Sequence, residues 1–528
     1  MRFSVGVKAN ATADEESVFY NRVQVVNRDL SIVVIQTFID KLVPLRKVQK
    51  RRAGRGIRIL EALSASGLRS IRYHHEMTGV EYIIANDLDP GSVKTIRDNL
   101  NLNGIPHTKV IPNCDDAVEL MHRLSRDQSS AKLFRQEPDG TFCPLLQQEQ
   151  MDVVDLDPYG SASPFLEAAV VCVEEGGLLC VTCTDSAVLC GKYPETCHAK
   201  YGSFSLNTDH CHEMAVRILL CCLERTANRH RRYIKPLLSL SIDFYIRVFV
   251  QVFTQPVEVK LSAARMSYVL QCTRCRTFLL QPVAVAKEHK KRSRDEATCE
   301  DGSREGLFFP GPCSPPLPDR TKTPNFTVNP GTSSYALHDK CPSCASPMWL
   351  AGPVYNQPIH NPSFVESCLQ TVAQSPSTAR KLGASDRVNA LLNGALEELS
   401  DVPLYYSLPQ ICSNLRLTCP PLLEVTSALG RLGYRCSQVH ASADGLKTDA
   451  PANVLYGVMR TRAEKNWLST NPGQPFEGSF VDVPAVACDF TPDAQYDIRT
   501  KRQGVKKFLP NPEPQWGPKA KHKSTSGI

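Results

Sequence analysis

Short apolar runs ending on an acid alternate along the first half of the chain with segments whose apolar residues recur every three or four positions. Residues 57–60, 82–87, 109–112 and 151–156 each read as a buried strand, and 176–185 as a turn followed by another. Ile32, Val33, Ile35, Phe38, Ile39 and Leu42 predict an amphipathic helix, with Asp29 capping near its start, where the helix dipole favours an acid. Val93, Ile96 and Leu100 predict a helix over 88–103, and two more are expected over 165–173 and 214–223. Residues 237–253 supply the closing strands. Such alternation predicts an α/β fold built on a Rossmann-like sheet, which binds its ligands at the carboxyl ends of the strands.

The strand 151–156 runs into Asp157-Pro158-Tyr159-Gly160. It is expected to deliver a carboxylate, a stiff proline and an aromatic ring to the sheet rim. That set suits methylation of an exocyclic amine. The amine's lone pair is delocalised into the base, so a carboxylate accepting its N–H returns electron density, and the ring stacks on a flipped base. Upstream, the strand at 57–60 enters Glu61-Ala-Leu-Ser-Ala-Ser-Gly67-Leu-Arg69. Small residues before a helix allow close backbone approach to a nucleotide cofactor, although a plain tight turn has the same composition. The absence of a G-x-G-x-x-G pattern disfavours a nicotinamide. Asp87, ending the second strand, is placed to accept ribose hydroxyls, and Asp115-Asp116-Ala117 after the third is a candidate adenine reader.

The 528 residues carry a formal charge of +7 and allow two or three domains. Basic residues concentrate at 46–58 and 499–523, which suits a phosphate backbone, or a solvated loop. No apolar run is long enough for a membrane span, and the N-terminus lacks the apolar core of a secretory signal. The 21 cysteines, scattered and odd in number, point to buried thiols plus a metal site. Cys272-x-x-Cys275 and Cys341-x-x-Cys344 have the spacing of a four-thiolate structural zinc site. Cys180 and Cys183 are expected on opposite faces of a strand, and His210-Cys211-His212-Glu213 is read as helix capping and packing. Lys290–Arg294 reads as a nuclear import signal or a solvated run. Helices at 408–415 and 421–433 followed by a strand at 434–440 suggest a helix-turn-helix-like α+β module, which could dock on nucleic acid or simply pack. The expected division is a catalytic domain over 1–260, a zinc-binding module over 261–360 with a disordered loop at 285–340, a C-terminal nucleic-acid-binding domain over 361–490, and a basic tail over 491–528 containing Trp516.

Several motifs occur together in order: Phe19-Tyr20-Asn21, Asn27-Arg28-Asp29, Leu63-Ser-Ala-Ser-Gly-Leu-Arg69-Ser-Ile-Arg72, Asn86-Asp87, Asp155-Leu-Asp157-Pro-Tyr-Gly-Ser161, Thr182-Cys-Thr-Asp185, Lys200-Tyr-Gly202, Cys211-His-Glu213, Asp401-Val-Pro-Leu-Tyr-Tyr406 and Lys447-Thr-Asp-Ala-Pro451. In this the chain resembles the tRNA guanine-26 N2-dimethyltransferase family. The resemblance implies a class I methyltransferase sheet and S-adenosylmethionine-dependent mono- and dimethylation of guanine N2 in tRNA. By that likeness Arg28 and Arg69 hold the methionine end of the cofactor, Asp87 the ribose, and Asp116 with Ala117 the adenine. Asp157 accepts from the guanine amine, Pro158 presents its carbonyl, and Tyr159 and Phe19 sandwich the base. The likeness also implies zinc at Cys272, Cys275, Cys341 and Cys344, and a nuclear or mitochondrial setting. A monomer is expected. Arg22 stands where the family usually has proline, and the further zinc finger of some animal members is missing; weaker tRNA binding is expected from both. An RNA-binding scaffold without activity is the alternative, disfavoured because Arg28, Arg69, Asp87 and Asp157 are all present. A DNA adenine methyltransferase is a third reading, and the single proline of Asp157-Pro158-Tyr159-Gly160 speaks against it.

Overall fold

The computed structural model describes residues 24–46, 55–125, 134–136, 142–144, 150–288, 326–330, 340–375, 381–474, 476, 481, 483–499 and 508–510. Phe19, Arg22, 290–294 and Trp516 lie outside them. Seven strands make the central sheet: β1 (Ile57–Glu61), β2 (Val80–Asp87), β3 (Val110–Cys114), β4 (Met151–Leu156), β5 (Val173–Cys183), β6 (Arg232–Ile242) and β7 (Tyr245–Thr254). Their spatial order is β3-β2-β1-β4-β5-β7-β6. Pairing is parallel from β3 through β5, and β7 runs antiparallel to both its neighbours. The order changes direction between β1 and β4, where Glu61 pairs with Asp155 in register. A crevice opens at such a switch point, because the connections leave to opposite faces.

One face is covered by α1 (Val25–Lys41), α2 (Leu68–Glu76) and α3 (Pro90–Leu102), the other by α4 (Ala117–Ser125), α5 (Leu166–Cys172) and later helices. Cys180 and Cys183 belong to the cores on opposite faces. The first helix departs from its expected character. It is not amphipathic: every residue from Val26 to Phe38 is buried. Its outer side is covered by α9 (Pro362–Gln374) and α10 (Ser385–Glu397), whose Phe364, Val365, Val388 and Leu392 join the same core. Asp29 is not a cap either. It sits past the first turn, where Arg72 Nη1 and the Ala384 N–H both bind its carboxylate at 2.7 Å.

The basic run 46–58 is not uniformly solvated. Its ends, Arg46 and Arg58, are buried and share Asp152 at 2.8 and 3.2 Å. Burial alone would raise the Asp152 pKa, but the two guanidiniums hold it below the usual carboxylate range.

Beyond the sheet lie α6 (Ser186–Leu189), α7 (Pro194–Tyr201) and α8 (Cys211–Arg229), then a three-stranded antiparallel sheet of β8 (Met266–Cys272), β9 (Phe278–Pro282) and β10 (Met348–Tyr355). The stretch expected to be a disordered loop carries a paired ribbon at its ends, Ala284–Glu288 against Phe326–Pro330. The alternation of small and β-branched residues in Ala284, Val285 and Ala286 accounts for that pairing better than composition suggests. The C-terminal part contains α11 (Leu408–Asn414), α12 (Leu422–Arg431), α13 (Ala452–Thr470) and a small sheet of β11 (Tyr406–Ser407), β12 (Cys436–Val439) and β13 (Ser442–Thr448). Helix, helix and hairpin follow in the order of a helix-turn-helix module with a wing.

A buried charge cluster joins this part to the main sheet. Glu213 Oε1 on α8 accepts from Arg217 Nε (2.8 Å), the Leu404 N–H (2.9 Å) and Lys447 Nζ (3.0 Å). Lys447 also meets Glu398 Oε1 at 2.6 Å, and Glu398 Oε2 accepts from the His440 N–H. His440 Nε2 in turn accepts from the Ser241 N–H of β6 at 3.1 Å. Three motifs that seemed unrelated in sequence (Cys211-His-Glu213, Asp401–Tyr406 and Lys447–Pro451) thus meet at one junction.

Candidate active site

The turn after β1 is fixed by the backbone. The Ser64 N–H donates to Asn86 O (2.7 Å), and the Gly67 N–H closes on Ser64 O (2.8 Å). Ala65 takes φ +48° so that its N–H reaches Asp87 Oδ2 at 2.7 Å, and Gly67 takes φ +74°. The neighbouring Asn86 side chain donates to Ala62 O and Asp115 O and accepts from Asn113, tying three strand ends together. Asp87 Oδ1 receives the Asp89 N–H (3.0 Å), and burial raises its pKa. Asp116 caps α4, its Oδ1 accepting the Val118 and Glu119 N–H groups at 2.9 and 3.0 Å, and Ala117 is buried as the first residue of that helix.

Between this turn and the end of β4 lies a cleft of about 120 Å³, lined by Arg28, Glu61, Ser64, Arg69, Asp157 and Tyr159 among others. The structure therefore brings Arg28, Arg69, Asp157, Pro158 and Tyr159 to one cavity. Asp87 borders it through Ala65, whereas Asp116 and Ala117 stand at the next strand end, outside its wall. Tyr159 is 49% exposed and presents its ring to solvent.

Asp157 completes a buried array of two carboxylates and two guanidiniums. Its Oδ2 binds Arg69 Nη2, and its Oδ1 is 3.5 Å from Asn27 Nδ2. Beneath it, Asp155 accepts from Tyr73 Oη (2.6 Å) and Arg247 Nη2 (2.7 Å). Arg69 and Arg247 both donate to Ser31 Oγ, at 3.0 and 2.9 Å. Burial pushes the Asp157 carboxyl upward, but Arg69, and Arg247 behind it, hold it below the ordinary range. Asp157 is thus an ionised acceptor at neutral pH. Sequence reading missed Arg247; its signal is a lone charge within the apolar strand Tyr245-Ile-Arg-Val-Phe.

Glu61 was also overlooked as a titrating group. It is 3% exposed, accepts the Ser70 N–H at 3.1 Å and the Ser70 hydroxyl, and burial raises its pKa to about 8. A carboxyl raised from 4.5 to about 8 on folding takes up a proton over that range, so its contribution to stability is lost as pH rises through it. Glu61→Gln removes this dependence. The melting temperature of the variant relative to the parent should climb between about pH 5 and about pH 8, and a constant difference would mean Glu61 is ionised throughout.

The loop after Asp157 is braced from behind. The Gly160 N–H donates to Thr184 Oγ1 (2.7 Å), and the Thr184 N–H returns to Gly160 O (2.9 Å). Ser161 Oγ donates to Tyr201 Oη (2.7 Å), which donates to Asp185 (2.9 Å), with Lys200 Nζ 3.6 Å from the same carboxylate. Tyr201→Phe cuts this brace without emptying space. Turnover should fall about tenfold with the cofactor KM unchanged, since the loop and not the cofactor turn is released. A lowered melting temperature at full turnover would reduce Tyr201 to a packing residue.

Away from the cleft, Cys272, Cys275, Cys341 and Cys344 gather their sulfurs within 4.8 Å of one another. Cys272–Cys344 and Cys275–Cys341 are 3.5 Å apart. Cys272 Sγ accepts the Arg274 and Cys275 N–H groups and Cys341 Sγ that of Ser343, all at 3.3 Å, which is how turn backbones stabilise thiolates. The Cys275 carbonyl is held by Asn414 Nδ2 (2.9 Å) and Tyr456 Oη, so this knuckle anchors the C-terminal helices.

The strand order, the acids at strand ends and a carboxylate-Pro-aromatic turn beside the switch-point crevice define a class I α/β methyltransferase. Trm1 from Pyrococcus horikoshii, solved in complex with S-adenosyl-L-methionine, shares this fold with a TM-score of 0.58 and 24% identity, over 84% of this chain and 95% of that one. The profile of the N2,N2-dimethylguanosine tRNA methyltransferase family matches residues 2–460, and the chain belongs to that family. Relatives named tRNA (guanine(26)-N(2))-dimethyltransferase include those of Drosophila melanogaster (36% identical, 95% of this chain, 84% of the relative) and Homo sapiens (35%, 97% and 76%). The Saccharomyces cerevisiae relative, named as mitochondrial, is 34% identical over 96% of this chain and 90% of its own.

Proposed function

We propose that the protein transfers methyl groups from S-adenosylmethionine to the exocyclic N2 of guanine 26 in tRNA, forming N2-methyl- and N2,N2-dimethylguanosine. The observation that carries this is the ionised Asp157 at a strand tip, sharing one cleft with Arg28, Arg69 and the small-residue turn. The donor set fits the cofactor. The guanidiniums of Arg28 and Arg69 would hold a carboxylate, the Ser64–Ser66 turn would admit a close backbone approach, and the Asp87 carboxylate would accept from a diol. Bound there, the cofactor supplies an electrophilic methyl on a sulfonium.

The chain's residues do the rest. Arg28 and Arg69 hold the methionine end, Asp87 the ribose, and Asp116 with Ala117 the adenine side. Tyr159 stacks on the flipped base, and Pro158 offers its carbonyl to the amine. Asp157 accepts an N–H of that amine, orients its lone pair for transfer and takes up the proton that the nitrogen loses as the new N–C bond forms. The same acceptor serves a second transfer, since one N–H remains after the first.

The four cysteines hold a structural zinc. The helix-turn-helix-like part and the basic segments bind tRNA, with the chain acting as a monomer. No helix among the described residues is long and apolar enough to cross a membrane. The setting is nuclear or mitochondrial, and the name of the yeast relative accords with the second. Labelled cofactor with two transcripts differing only at position 26 tests the reading. Label is expected in the guanine-26 transcript alone, recovered as the two N2-methylated nucleosides, and equal labelling of both transcripts would overturn it.

A further inference from the structure

A second cluster of metal-ligand side chains lies behind the catalytic loop. Cys190 caps the end of α6, and Cys211 and His212 open α8. Twenty residues separate Cys190 from Cys211 in sequence, yet the two sulfurs and a ring nitrogen of His212 lie within 4.8 Å of one another, with Cys190 Sγ 3.8 Å from His212 Nδ1. A close backbone crossing makes the meeting possible. Gly191 adopts φ +91°, and a Cβ there would lie 2.1 Å from the backbone of Leu206 and Asn207. Ser205 Oγ adds a bond to Val188 O at 2.8 Å, drawing the approach to α8 against the end of α6.

We propose that Cys190, Cys211 and His212 form a second zinc site, separate from the four-cysteine knuckle, with water as the fourth ligand. Two thiolates and an imidazole select a borderline or soft ion over magnesium or calcium, and three protein ligands leave one tetrahedral position open. The donor separation of 3.8 Å is close to the 3.5 Å sulfur separations of the four-cysteine cluster. An independent observation points to a further ligand. The Tyr405 hydroxyl is buried, with the residue 1% exposed, and has no hydrogen-bond partner among the described residues. Its ring stands edge-on to that of His210, the residue before Cys211, with centroids 6.4 Å apart. A metal-bound water gives that phenol a partner. A simple Cys190–Cys211 disulfide would account for neither the His212 nitrogen nor the lone hydroxyl.

The site staples α6 to α8. Asp185, which holds Tyr201 behind the catalytic loop, immediately precedes α6, and Glu213 of the buried charge cluster follows His212. The inference is independent of the methyl-transfer reading, because its readout is metal content.

Full-length protein purified without chelator should contain about two zinc ions per chain by mass spectrometry of the metal. Cys190→Ala combined with His212→Ala should lose one and keep the other, and Cys272→Ser should do the reverse. A measurement needing no variant guards against misfolding: zinc-edge X-ray absorption of the parent should show imidazole scattering alongside sulfur. One zinc per chain in an all-sulfur shell overturns the assignment. So does recovery of a Cys190–Cys211 disulfide peptide from protein alkylated at lysis, or an absence of zinc altogether.

Discussion

Asp157→Asn should cut methyl transfer by about 10²–10⁴-fold while the cofactor still binds, read by labelled transfer to tRNA and by calorimetry with S-adenosylmethionine. The amide keeps the shape of the side chain and a neutral acceptor, and it removes the charge that answers the positive charge developing on the amine. Arg69 does not collapse into the gap, because it retains Ser31 at 3.0 Å and Asp155 at 3.8 Å. The pH dependence follows from the same geometry. Arg69 and Arg247 hold the Asp157 pKa below the usual range, so the carboxylate is lost only as pH falls through that lowered value. Activity around pH 5 should therefore not decline on its account. Equal loss of cofactor binding and transfer would make Asp157 part of the cofactor site and sink its assignment as acceptor.

The second large effect is expected where the C-terminal part meets the main sheet. Lys447→Met should destabilise the protein by about 3–5 kcal/mol, the cost of removing one partner from a buried charge pair. Lys447 is 1% exposed and serves both Glu213 and Glu398, each equally buried. Burial pushes Glu398 upward, and Lys447 is the largest influence holding it well below its normal value. Without that cation the Glu398 pKa rises, and protonation relieves the uncompensated charge. The difference in denaturation midpoint between variant and parent should accordingly shrink as pH falls from about 8 to about 5. A difference independent of pH would mean that lost packing, and not charge, dominates.

Much of the sheet was legible, because buried parallel strands leave short apolar runs punctuated by the acids that end them. Asp87 and Asp157 announce themselves at strand tips for that reason. Residues acting across the fold did not. Arg247 faces Asp155 from 92 positions away, and only its charge amid Val and Ile marks it. Tyr201 stands in sequence only as the middle of the motif Lys200-Tyr-Gly202, and topology gives it a role by setting it beside Ser161 and Asp185. Cys190 belongs to no recognisable spacing, and only the crossing at Gly191 gives it partners. The first helix was misjudged because periodicity measures contact with one surface, whereas this helix has a second one, supplied by residues beyond 360.

That second surface has a consequence for how the molecule is made. Synthesis runs from the amino end, so α1 leaves the ribosome more than three hundred residues before α9 and α10 exist to enclose it. Until then Val26, Val33 and their neighbours present bare hydrocarbon on the outer side of a half-finished sheet. A nascent polypeptide in that state calls for a holdase during elongation, and premature termination ahead of Pro362 should yield an aggregating fragment in place of a smaller working enzyme.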